Sequence, residues 1–154
     1  MTYTITGLDP TAFSDLFALS DADLERHDAM RVTATSHPGF PCRISLQDAD
    51  VGETLILLHH VSHSARTPYR SSYAIYVRQV SQAAQYCDAL PPIMQGRPIG
   101  LRAFDVVGML RDASLAMPGE ADAGIRGLFA NPAIAYIHAH NAAHGCFVAQ
   151  IDRG

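Results

Sequence analysis

The chain contains no lysine; all eleven of its basic residues are arginine. Without that amine, Schiff-base catalysis, a pyridoxal-phosphate enzyme and a P-loop nucleotide site are excluded. Charge is scarce as well: 17% of residues are charged, the formal net charge is −4, and the arginines are scattered singly. Nucleic-acid or membrane-surface binding needs a clustered cationic field, so neither is expected. Three widely spaced cysteines (Cys42, Cys87, Cys146) contain no CxxC pair and do not form a disulfide framework. The longest apolar run, Leu55 to Leu58, is too short to span a bilayer. The opening MTYTITGLDP has neither the basic nor the apolar region of a signal peptide. The expectation is a soluble cytoplasmic protein. GxSxG, GxGxxG, HExxH and a Ser-His-Asp order are all missing.

At 154 residues, 48% of them hydrophobic, the chain is long enough for one domain spanning 1–154 with a sizeable core. Asp9-Pro10 reads as a capped helix start running to about Leu19, and Ser20 to Asp23 as a second start. Strands are expected at Arg31 to Thr35, Cys42 to Gln47, Thr54 to Val61, Tyr73 to Val77 and Ile99 to Leu110. Ser81 to Asp88 reads as a weak helix, and Pro118-Gly119-Glu120 opens another that stops before Asn131-Pro132. With six or seven strands, three or four helices and short turns between neighbours, the fold class is α+β on a mainly antiparallel sheet.

Reactive side chains concentrate in the last twenty residues. Alternation puts Ile134, Tyr136, His138 and His140 on one face of a strand. Asn141 to Gly145 then turn the chain, and Cys146 to Asp152 alternate again, so the C-terminus reads as a β-hairpin. His138 and His140, two apart on one face, can present two imidazoles to Zn, Fe or Cu, with His144, Cys146, Cys42 and the His59/His60/His63 group as further ligands. Cys42, beside Arg43, and Cys146, near His144, are candidate nucleophiles. Arg43, Arg70 and Arg78 lie on or next to strands, where a guanidinium needs an acid or an anionic ligand, and Tyr69 and Tyr73 flank the same loop. Each has a structural alternative: hydrogen-bonded histidines, buried thiols, and ion pairs to Asp48, Asp50, Glu53, Asp105 or Asp152.

Pro41-Cys42-Arg43, Gly52-Glu53, Pro68-Tyr69-Arg70, Ile75-Tyr76-Val77-Arg78, His138-Ala139-His140-Asn141 and Gly145-Cys146-Phe147 occur in this order. Together they resemble the bacterial family called domain of unknown function 1203. The resemblance implies a small single-domain bacterial protein, in which Cys42, Arg43, Tyr69, Arg70, Arg78, His138, His140, Asn141 and Cys146 belong to one arrangement. It implies no reaction and no cofactor.

Two functions follow as expectations. In the first, a pocket beside the hairpin is lined by His138, His140, Cys146 and Cys42, with arginines and Asn141 orienting a small anionic ligand. Histidine, titrating at about 6.5, would act there as general base or metal ligand. In the second, the domain is non-catalytic and homodimerises, its histidines and arginines paired internally.

Overall fold

A computed structural model describes residues 1–154. Nine strands form two antiparallel sheets, and two short α-helices accompany them. The larger sheet has the order β5-β1-β9-β8-β6-β7, built from β1 (Tyr3–Thr6), β5 (Gln85–Cys87), β6 (Ile99–Phe104), β7 (Leu110–Ala116), β8 (Tyr136–Asn141) and β9 (Phe147–Arg153). The smaller is β2 (Ala29–Thr33), β3 (Thr54–His63) and β4 (Ser71–Arg78), with β3 central. The α-helices are α1 (Asp21–Arg26) and α2 (Ala121–Phe129).

The expected α+β class and the C-terminal hairpin are both present. The helix count is corrected from three or four to two. Pro10 to Leu19 forms two 3-10 turns, Pro10–Ala12 and Ser14–Ala18, because each successive bond (Phe13 to Pro10, Leu16 to Phe13, Leu19 to Leu16) spans three residues. Ser81 to Asp88 is not helical; its end pairs with β1 as β5. Ile99 to Leu110 is a hairpin and not one strand: the Asp105 carboxylate accepts from the amides of Val107 and Met109 and closes a turn that leaves Val106 86% exposed. Cys42 to Gln47 is a compact turn in place of a strand. Leu46 takes a positive φ of 54°, and the Cys42 sulfur accepts from the amides of Ile44, Ser45 and Arg78.

The large sheet separates two environments. On its outer face Leu101, Ala103, Ile137, Ala139 and Ile151 pack against Ile125, Leu128 and Phe129 of α2 in the main core. Its inner face carries Phe104, Tyr136, His138, His140 and Phe147, which meet His60 and His63 of β3. A second core, with Leu24, Cys42, Ile44, Ile56 and Ile75, fills the space under the small sheet.

The Ile44 turn is locked to the N-terminal strand at Gly7. A Cβ built on Gly7 would lie 2.0 Å from the Ile44 carbonyl oxygen, a backbone atom that also accepts from Ala84. Gly7→Ala should therefore destabilise the fold by about 2 kcal/mol through overpacking, read as a lower urea midpoint; an unchanged midpoint would contradict this packing.

Candidate functional site: a cleft between the small sheet and the hairpin

Three breaks in strand register shape the histidine layer. On β3 the inward residues are even-numbered (Ile56, Leu58, His60) until Val61 pairs with Ser72 and His63 with Ser71, skipping Ser62. That bulge turns His63 inward. Between β8 and β9, Ala139 pairs with Ala149 but His140 with Phe147, so Val148 is the extra residue and Phe147 is delivered to the histidine face. A third break lies at Ala103/Phe104. Bulges of this kind re-aim side chains where regular pairing would bury or expose them wrongly.

The hydrogen bonds fix each tautomer. His63 donates through Nδ1 to the Tyr69 carbonyl at 3.1 Å and accepts at Nε2 from the Tyr136 hydroxyl at 2.8 Å. His138 donates through Nε2 to Gln150 Oε1 at 3.2 Å, leaving Nδ1 buried with no partner. His140 donates through Nδ1 to the Gly145 carbonyl at 2.9 Å. Burial pushes both His138 and His140 down to about 4, and nearby charge adds to the shift: Arg102 for both rings, and Arg43 for His140. Both rings are neutral at pH 7.

Arg102 is the site residue that sequence reasoning passed over. It sits on β6 directly opposite His138 and shares the inner face with Phe104. The alternation Gly100, Arg102, Phe104 was the available signal. Arg102, Arg70, His140, His144, Ser72 and Tyr73 line a cleft of about 540 Å³ between β4 and the hairpin turn. Six other arginines are ion-paired with acids. Arg70 and Arg102 make neither an ion pair nor a guanidinium hydrogen bond.

Next to it, sharing Tyr73 and His144, lies a second cleft of about 370 Å³ lined by Arg43, Asn141 and Cys146. Arg43 is 2% exposed and has no carboxylate partner. It donates to the Phe147 carbonyl at 2.8 Å, to the Pro41 carbonyl, and to Cys146 Sγ at 3.0 Å. The Asn141 side-chain oxygen accepts from the amides of Ala143 and His144 and so closes the hairpin turn.

The expected single arrangement is thus two adjoining clefts plus a separate structural group. Arg70 and His140 share the first cleft; Arg43, Asn141 and Cys146 share the second. Cys42 is fully buried in the second core and lines neither. Arg78 is engaged internally, with Glu53 at 3.0 Å, Gln47 and Ser45, which is the ion-pair alternative. Tyr69 contributes its backbone carbonyl to His63, and the residue is 39% exposed. For a metal, the His138 and His140 ring centroids lie 6.4 Å apart, His138 Nε2 is engaged by Gln150, and no three His, Cys, Asp or Glu side chains converge into a metal-holding group. No helix is long and apolar enough to cross a membrane.

The fold and site define an antiparallel α+β domain with a polar, arginine- and histidine-lined cleft against its terminal hairpin. Residues 39–153 match the family model described as protein of unknown function (DUF1203). The chain belongs to that family, and its site residues from Arg43 to Phe147 all lie within the matched region. Neither a curated protein nor a solved structure matches the chain.

Proposed function

We propose that the protein binds a small anionic molecule in the cleft lined by Arg70, Arg102 and His140. The observation that carries this reading is a pair of arginines, Arg70 and Arg102, lining one cleft that has no acidic residue in its lining, while the other arginines on strands are paired or hydrogen-bonded within the protein. Two planar forks can hold an oxyanion by charge-assisted hydrogen bonds, and the half-buried Arg102 is shielded from solvent more than a surface arginine. Ser72 and Tyr73 add hydroxyls at the rim. The cleft volume suits a metabolite-sized ligand.

Calorimetric titration at low ionic strength with dicarboxylates and inorganic phosphate tests this. Saturable binding is expected for at least one of them. Replacing Arg102 with Gln should weaken it by about 10- to 100-fold, the worth of one charged hydrogen-bonding group. Arg66→Gln, at an exposed arginine outside the cleft, should leave affinity unchanged. Binding that Arg102→Gln and Arg70→Gln both leave intact would place the ligand elsewhere and sink the proposal.

A further inference from the structure

Resting on the anion reading, we infer that the cleft selects an oxyanion that carries a hydroxyl next to its charged group, with His140 Nε2 accepting that hydroxyl's hydrogen. The class is a small hydroxycarboxylate.

The argument begins with the tautomer. His140 Nδ1 carries the proton, because the Gly145 carbonyl can only accept it. Nε2 therefore presents a lone pair. It has no hydrogen-bond partner, yet the buried side-chain atoms without partners are only Ser114 Oγ and His138 Nδ1. His140 Nε2 is consequently open to the cleft that the residue lines, although the residue as a whole is 4% exposed. It is a nearly buried acceptor aimed at ligand space.

The ring's surroundings keep it an acceptor. Arg102 on β6 and Arg43 in the turn before β3 bring positive charge towards it, His63 of β3 and His138 of its own strand add further titratable rings, and no carboxylate faces it. Arg70 and His144 complete the titratable lining. An anion bound by Arg70 and Arg102 favours protonation of His140, whereas burial and the two guanidinium groups oppose it. A neutral Nε2 lone pair pointed at a bare carboxylate is repulsive. Pointed at a hydroxyl beside that carboxylate, it makes a hydrogen bond that a ligand without the hydroxyl cannot supply, and discrimination of this kind is large because an unpaired polar group remains.

Malate and succinate differ by one hydroxyl and provide the test by calorimetry at pH 7.5. Wild type should prefer malate by tenfold or more, and titrations in buffers of different ionisation enthalpy should show no proton uptake. In His140→Phe the preference should fall to within twofold. His140→Gln, which retains an acceptor oxygen, should keep part of the preference and guards against a folding artefact in the Phe variant. Equal affinities in wild type, or uptake of close to one proton with bound succinate, would overturn the inference while leaving the anion site standing. If neither acid nor phosphate binds, the anion reading itself fails, and the hydroxyl preference with it.

Discussion

Arg43→Ala should unfold about 3–5 kcal/mol more easily than wild type, enough to threaten the native state of a domain of ordinary stability. The guanidinium lies between the sheets with 2% exposure, and its three hydrogen bonds tie the loop before β3 to the start of β9 through Phe147 and Cys146. Burial pulls its pKa below the ordinary arginine value, opposed chiefly by Cys146, the foremost group favouring the charged form. Truncation would leave the Phe147 and Pro41 carbonyls without these donors, next to a cavity the size of the lost side chain. Arg43→Met separates the two contributions. It fills most of the volume but donates nothing, so a loss intermediate between wild type and Ala is expected. Urea unfolding at pH 7.5 gives both values, and a loss below 1 kcal/mol for the alanine variant would show that the three bonds contribute little.

How much of this arrangement was legible in the sequence depended on regular alternation. Tyr136, His138 and His140 could be placed on one face because β8 is regular over those residues; Ile134, expected on that face too, precedes β8 and packs in the main core instead. The hairpin turn was equally plain from Asn141 to Gly145. His63 and Phe147 were not assignable to the same layer, since each reaches it through a one-residue bulge that inverts the parity of its strand. Cys42, Ile44 and Leu46 alternate along the stretch read as a strand, and all three are buried. They belong to a turn folded around the Cys42 sulfur, whose alternation imitates a strand. Arg78 and Arg102 show the same limit from the other side. Both are strand arginines, and nothing local distinguishes the one held by Glu53 from the one facing the cleft, because the distinguishing partner comes from a distant segment.

Acid should destabilise the protein before its carboxylates titrate. In the unfolded chain His138 and His140 take up protons near 6.5, whereas in the folded protein both resist protonation down to about 4. Between those values the unfolded state binds more protons, so stability is full above pH 6.5 and falls as the pH drops towards 4. Each ring contributes up to about 3 kcal/mol to that loss, and His60, also lowered by burial, adds in the same direction. Asp122, held down by its hydrogen bond from Arg126, and Glu53, held down by the Asp50 amide, lose their contributions as the pH falls from the ordinary carboxylate value through their lowered ones. The interval between pH 6.5 and 4.5 therefore reports the histidines. Urea midpoints measured across it should decline steadily in wild type. His138→Leu should remove roughly half the decline, because one of the two strongly shifted rings is gone. At pH 7.5 the same variant should match or slightly exceed wild type: it eliminates the orphaned Nδ1, a buried acceptor costing about 1–3 kcal/mol, while Gln150 turns its freed oxygen to solvent. A flat wild-type profile down to pH 4.5, or an unaltered decline in the leucine variant, would mean that the rings are not held neutral by burial. The neutral acceptor role of His140 would then lose its physical basis too, since the same burial and the same guanidinium neighbours hold both imidazoles uncharged.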